Sequence, residues 1–359
     1  MNSTDTSQQN PLTSSTKPSE SRNSACGFAV APMLDWTDRY CRIFHRKLTR
    51  HAWLYTEMVT TGAIIYGQNL PRFLGHDDEP PVALQLGGSD PKELVHCAKL
   101  GEEWGYSEIN LNVGCPSDRV QNNMIGACLM AHPSLVAQAV DAMKQAVDIP
   151  VTVKSRIGLD DNENFNELVD FVGDLVDAGV DGLILHARNA WLQGLSPKEN
   201  RDIPPLKYHW VRQIKSLFPD LAVAVNGGVK TPASGLDFLT SDDALPALDG
   251  VMMGRAIYEN PYLLANVDHL YYQEQINSLS RQEVLLSLYP YIEHHLSQGG
   301  RLHQISRHIL GLFHGMPGGR IWRRHLSENA FKEGAGIEVL ESALNKVLAE
   351  IERMEAQAS

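Results

Sequence analysis

The chain has 359 residues, 43% of them hydrophobic and 21% charged, with a formal net charge of -12. Length and composition suit a globular protein with one large domain and a smaller one. They exclude a membrane span, because no run of about 18 apolar residues exists, and the acidic mean argues against polyanion binding except at a local patch.

Residues 1–24 are rich in Ser and Thr, with Met1 and Leu12 as their only large apolar residues. They cannot bury enough surface to offset chain entropy and are expected to form a disordered tail. No apolar core follows a basic start there, so no secretory signal is read. The five cysteines (Cys26, Cys41, Cys97, Cys115, Cys128) show no CxxC spacing. Neither a disulfide framework nor a zinc site is expected, and a reducing cytoplasm fits.

From Gly27 onward, short apolar runs alternate with amphipathic segments. The pattern predicts a strand over 27–34, a helix over 37–48, a strand over 52–59 and a short helix around Ala63. A strand over 81–86 and a helix over 90–104 follow, the latter opened by Asp90-Pro91. Next come a strand over 107–113, a helix over 134–147, a strand over 151–156 and a helix over 164–178, stopped by Gly179. A strand over 182–188, a helix over 208–218 and a strand over 222–226 lead to a helix from Thr231-Pro232. A strand over 250–253 and a helix from Pro261 close the series. These are eight strand–helix units with short strands rich in Val, Ile and Leu, as buried parallel strands are. They predict a TIM (β/α)8 barrel over 25–275. An open doubly wound sheet competes, but the first strand ends in Ala31-Pro32-Met33-Leu34 with no GxGxxG. After about Ser278 no strand pattern remains. Helices over 280–296, 301–313 and 338–354 predict a small all-helical domain over 276–359.

In such a barrel the chemistry gathers at the C-terminal ends of the strands. Those ends carry Pro32 and Met33, then Glu57, then Gln85, then Asn110, Asn112 and Cys115, then Lys154 and Arg156. His186 and Arg188, Asn226-Gly227-Gly228 and Gly254-Arg255 complete the ring. Singly, each has an ordinary structural reading: a lone Cys is more often a small hydrophobe than a catalyst, and a lone His more often a satisfied core residue. A polar group at nearly every strand end is harder to dismiss. Gly227, Gly228 and Gly254 let backbone N–H groups approach a phosphate, and Arg255 adds positive charge. A phosphorylated cofactor or substrate is expected there, with Lys154 as a cation opposite.

These segments resemble the tRNA-dihydrouridine synthases: Ala31-Pro32-Met33, Gln85-Leu86-Gly87, Asn110-Leu111-Asn112-Val113-Gly114-Cys115-Pro116, Val153-Lys154, His186-Ala187-Arg188, Asn226-Gly227-Gly228 and Met253-Gly254-Arg255. The segment over 191–201 and the late Pro317-Gly318-Gly319-Arg320-Ile321-Trp322-Arg323-Arg324 resemble the A subfamily. The likeness runs from Gly27 to the end of the chain. It implies reduction of the C5=C6 bond of uridine in the tRNA D-loop, at positions 20 and 20a, with FMN as cofactor and NADPH as electron donor. By the same resemblance, the FMN phosphate meets Asn226, Gly227, Gly228, Gly254 and Arg255. Its ring meets Pro32, Met33, Leu34, Gln85, Lys154 and His186. Hydride passes from flavin N5 to uracil C6, and Cys115 protonates C5. A thiol near its ordinary pKa of about 8.5 stays protonated at neutral pH, which suits a proton donor. Asn112 is expected to hold the uracil edge or ribose.

From His294 to Ser327 there is no Asp or Glu, but there are Arg301, Arg307, Arg320, Arg323, Arg324, six histidines and Trp322. This stretch reads as a phosphate-binding surface for tRNA, gripped from the other side by Lys198 and Arg201. The target base must leave its stack to reach the flavin. No obligate protein partner is called for. A flavin dehydrogenase of the dihydroorotate type would share the barrel but lack the basic helical region. A non-catalytic tRNA-binding protein would not need Gln85, Cys115, Lys154 and His186 together.

Overall fold

The computed structural model describes residues 23–77, 79–117, 124–242, 244–276 and 279–358. Nine parallel strands make eight staves: β1 Gly27–Val30, β2 Leu54–Tyr55, β3 Val59–Thr60, β4 Val82–Gly87, β5 Glu108–Val113, β6 Val151–Arg156, β7 Gly182–His186, β8 Ala222–Asn226 and β9 Gly250–Met253. The order runs β1-β9-β8-β7-β6-β5-β4-β2, and β3 also pairs with β4. The barrel closes through Trp53, whose N–H donates to Phe28 O at 2.9 Å and whose carbonyl accepts from Val30 N–H at 2.8 Å. This is the expected TIM barrel, with corrections to its strands: the strand expected over 52–59 is broken into β2 and β3, and those expected over 27–34 and 182–188 end at Val30 and His186.

Alternation within each stave separates two cores. Ile109, Leu111 and Val113 face outward with Val151, Val153, Leu183, Leu185, Val223 and Val225, and pack beneath the surrounding helices. Inside lie Ala29, Ala31, Trp53, Tyr55, Ala83, Ile184, Ala224 and Met252. Small alanines there leave room for the larger rings and for the polar side chains of β4 to β6.

The helices Pro91–Glu103, Pro133–Lys144, Phe165–Asp177 and Tyr208–Leu217 fall within a few residues of their expected bounds. Their caps explain the starts: the Asp90 carboxylate accepts from Lys92 and Glu93 N–H, and Asn164 accepts from Asn166 N–H. Residues 1–22 of the expected tail lie outside the described residues. Asn23 and Ser24 do not behave as a tail: both are buried, tied to Asp181 O and to the Glu108 carboxylate.

Beyond the barrel come the helices Arg281–Ser297, Leu302–Ser306, Gly319–Asn329 and Ile337–Ala358, and no strand occurs there among the described residues. The helix expected over 301–313 stops at Ser306, and the helix Gly319–Asn329 lies outside the sequence-based expectation. Two tertiary contacts account for the early stop. The Ile309 carbonyl accepts from Trp322 Nε1–H at 3.0 Å, and Gly311 backs so closely on Glu259 O that a Cβ there would lie 2.5 Å from it. No helix among the described residues is long and apolar enough to cross a membrane.

Candidate active site

Strand β5 supplies the centre of the site. Its outward face is Ile109, Leu111 and Val113, and its inward face is Glu108, Asn110 and Asn112. The Asn112 Oδ1 accepts from the backbone N–H of Gly114 at 3.1 Å and of Cys115 at 3.0 Å. That side chain therefore fixes the turn in which the strand ends and Cys115 begins. From the other side, the Cys115 carbonyl accepts from Ala127 N–H at 2.8 Å, at the start of the turn Gly126–Ala131. Cys115 is partly exposed, whereas Cys41 and Cys97 are buried.

Below Asn112 the polar groups form a chain. Asn112 Nδ2 donates to Gln85 Oε1, Gln85 Nε2 to Asn110 Oδ1, and Asn110 Nδ2 to Thr152 Oγ1, each at 2.8 Å. Thr152 Oγ1 donates to Glu108 Oε1 at 2.5 Å. Ser24 N–H donates to Glu108 Oε2 at 2.7 Å, and Tyr55 OH to Oε1 at 3.2 Å. Burial pushes the Glu108 carboxyl up to about 7, against the hydrogen bonds that favour its ionised form.

Next to this chain stands a row of cations. In register, Asn112 neighbours Lys154 across β5 and β6, and Arg156, His186 and Asn226 neighbour one another across β6, β7 and β8. Burial first, then Arg156, holds the Lys154 ammonium down to about 7. The same burial, with Arg156, Lys154, Arg188 and Arg201 around it, keeps His186 well below the ordinary imidazole range and therefore neutral. Arg156 is spent on structure: its guanidinium donates to the carbonyls of Gly114, Asn189 and Asn200. Lys154 makes no ion pair among the described residues, and Arg188 Nε is buried without a partner. The groups acting on Lys154 and Arg156 are other cations and the Cys115 thiol. Such a mouth suits an anionic group.

The phosphate end is built as follows. Gly227 and Gly228 have φ of +102° and +76°, in the left-handed region. A Cβ on Gly227 would lie 2.5 Å from His186 Cδ2, and one on Gly228 2.4 Å from Tyr208 OH. Asn226 Nδ2 donates to Met252 O at 2.8 Å. Gly254 has an ordinary φ of -119° and precedes the short helix Arg255–Glu259 with no side-chain cap. Arg255 is paired with Asp202 at 2.6 Å, a partner the sequence did not suggest. Across the mouth, Pro32 and Met33 are partly buried and Leu34 is exposed. Met33 is held by Thr37, whose Oγ1 accepts its N–H at 2.9 Å.

Lys198 and Arg201 are exposed in the segment after β7, and Arg201 stands near enough to the mouth for its charge to act on Lys154, Arg156 and His186. Arg320 and Arg323 are exposed on the helix Gly319–Asn329, whose Trp322 and Leu326 are buried. Neither makes an ion pair among the described residues, whereas Arg324 pairs with Glu328 and Arg307 with Asp38. A cleft of about 900 Å³ opens between the first barrel loops and the helix Leu302–Ser306, lined by Leu34, Glu57, Arg72, Phe73, His303 and Arg307 among others. Of the residues singled out from the sequence, Leu34, Glu57 and Arg307 line it. Sequence reasoning missed Glu108, Thr152, Ser24 and Asp202. Glu108 had a signal, since it continues the period-two polar face of Asn110 and Asn112.

Known proteins share this sequence pattern over most of its length. The profile of the family described as dihydrouridine synthase matches residues 29–348. A tRNA-dihydrouridine(20/20a) synthase of Vibrio cholerae serotype O1 is 56% identical over 325 residues, covering 90% of this chain and 97% of that protein. One of Yersinia pestis is 56% identical over 319 residues, covering 88% and 90%. One of Pseudomonas aeruginosa is 55% identical over 318 residues, covering 88% and 94%.

Proposed function

The chain belongs to the dihydrouridine synthase family, and from that premise we propose that it reduces the C5=C6 bond of uridine in the tRNA D-loop, at positions 20 and 20a. It is an oxidoreductase, a tRNA-dihydrouridine synthase, with FMN as cofactor and NADPH as reductant. The observation that carries this reading is the partly exposed Cys115 thiol, on a loop hung from Asn112, beside Lys154, which has no ion-pair partner among the described residues. FMN, when bound, would supply the hydride that reduces the C5=C6 bond, with NADPH as its reductant.

The chain's own residues do the rest. Asn226, Gly227, Gly228, Gly254 and Arg255 hold the phosphate, which competes with Asp202 for Arg255. Pro32, Met33, Leu34, Gln85, Lys154 and neutral His186 border the ring, and Lys154 favours negative charge on it. Asn112 orients the uracil, and the Cys115 thiol gives its proton to C5. Lys198, Arg201, Arg320 and Arg323 hold the phosphodiester chain, the last two from the helical region, which we assign to tRNA binding. The cytoplasm is the expected site of action.

Cys115→Ala separates this role from packing. The variant should stay yellow and be bleached by NADPH at the wild-type rate, while dihydrouridine formation on unmodified tRNA falls about 10²–10⁴-fold, the usual worth of a general acid. Mass spectrometry of the tRNA reads the product. Wild-type dihydrouridine formation by the variant would remove Cys115 from the chemistry.

A further inference from the structure

The hydrogen-bond chain inside the barrel runs in one direction. At its upper end are two backbone N–H groups, of Gly114 and Cys115, which can only donate. At its lower end is the Glu108 carboxyl, which above pH 7 is ionised and can then only accept. Between them, Asn112, Gln85, Asn110 and Thr152 each accept from above and donate downward. Asn and Gln amides are otherwise free to sit either way round, and a hydroxyl to turn. Here every member has one arrangement. The second N–H of Gln85 and of Asn112 takes no part in the chain.

We propose that Glu108 is a positioning residue of the active site: from the floor of the barrel it fixes the orientation of the Gln85 and Asn112 amides and, through Asn112, the turn that carries Cys115. This rests on the reading of Cys115 as the proton donor. The floor is built to hold that carboxylate. Ser24 donates to it twice, by N–H at 2.7 Å and by hydroxyl at 2.6 Å, Thr152 adds a third donor, and the Tyr55 hydroxyl is hydrogen-bonded to Ser24 Oγ beside the same carboxylate oxygen. Glu108 is fully buried and makes no ion pair among the described residues, so these donors do what a counter-ion would. A packing role alone does not require its hydrogen bonds to run unbroken to the Cys115 turn.

Glu108→Gln keeps the shape and breaks the one-way pattern. If the Gln oxygen faces Ser24 N–H, its NH2 faces Thr152. The Thr152 hydroxyl then receives two donors and has no acceptor for its own proton. If the Gln is turned round, Ser24 loses its acceptor. Thr152→Val interrupts the same path and leaves the Ser24 tether intact. Tyr55→Phe and Ser24→Ala remove hydroxyls beside Glu108 without touching the path to the mouth.

The test uses the full chain and two readouts. One is the rate of Cys115 alkylation by iodoacetamide, read by peptide mass spectrometry; it needs neither tRNA nor flavin. The other is dihydrouridine formation by the flavin-loaded enzyme. Glu108→Gln and Thr152→Val should each change Cys115 alkylation at least threefold and lower turnover at least tenfold with little change in KM. With both readouts taken at pH 8.5, where Glu108 stays ionised, Tyr55→Phe and Ser24→Ala should leave them within twofold of wild type, whatever they cost in stability. If Glu108→Gln does not fold, Thr152→Val alone decides. Wild-type alkylation and turnover in Thr152→Val, or equal loss in all four variants, would reduce Glu108 to packing. A wild-type protein that makes no dihydrouridine would instead sink the functional reading, and the alkylation result would stand apart from it.

Discussion

Lys154 shows what one residue does at the barrel mouth. Its ammonium is held down to about 7, chiefly by burial and then by Arg156. An anion seated beside it favours the charged form, so binding that anion draws a proton onto Lys154 above neutrality. The sign follows. Below pH 7 Lys154 is already charged and anion affinity is level; as pH rises above 7 each binding event takes up a proton and affinity falls. FMN affinity, followed by flavin fluorescence, should fall between pH 7 and 9 by up to about tenfold per unit. Lys154→Met should bind FMN more weakly and lose that dependence. A wild-type affinity flat from pH 6 to 9 would mean that the ammonium does not act on the bound anion. The type and place of Lys154 were legible in the sequence, because a strand end in this fold is a site. Its depressed pKa was not, because Arg156, which lowers it most after burial, acts through folded proximity.

At the scale of elements, the strands were the most legible part. β6, β8 and β9 begin and end as expected, since runs such as Val223 to Val225 have one use in a parallel sheet. The second stave departs from expectation because the break over Thr56 to Met58 comes from side chains that serve other partners: Thr56 Oγ1 accepts from Gln85 N–H at 3.0 Å and lines the cleft with Glu57. The helix Gly319–Asn329 was hidden by its charge. Trp322, Leu326 and Ala330 make a period-four buried stripe, but the arginines between them read first as a basic run. Both readings hold for that element, because the buried stripe anchors the helix and leaves Arg320 and Arg323 facing solvent. Replacing both by Ala should weaken tRNA binding and lower the slope of log affinity against log salt by about 0.7–0.9 for each phosphate that an arginine no longer neutralises. NADPH oxidation without tRNA should be unchanged. Filter binding across a salt series reads it, and an unaltered slope would leave the two arginines as solvated surface.

Taken whole, the molecule joins a barrel to a helical region through polar side chains at a seam. Asp38 binds Arg307 and His308, the latter at 3.0 Å, and Tyr291 OH donates to Asp77 at 2.8 Å. The cleft lies along that seam, so its two walls belong to different parts of the chain. A net charge of -12 is spread over the protein, yet the mouth gathers Lys154, Arg156, Arg188, Arg201 and Arg255. Cations crowded in a poorly solvated space repel, and folding is what crowds them. A bound anion relieves that repulsion in the native chain and finds no such site in the unfolded one. By mass action a hundredfold excess of ligand over its Kd adds about 2.7 kcal/mol to unfolding. Flavin-free protein should therefore melt several degrees below the loaded form, and concentrated inorganic phosphate should recover part of the difference. Scanning calorimetry of the two forms decides it; equal melting temperatures would mean that the anion does not bind the folded mouth in preference to the unfolded chain. If they differ, the lifetime of the protein in a cell follows the flavin supply, and shortage lowers its amount as well as its activity.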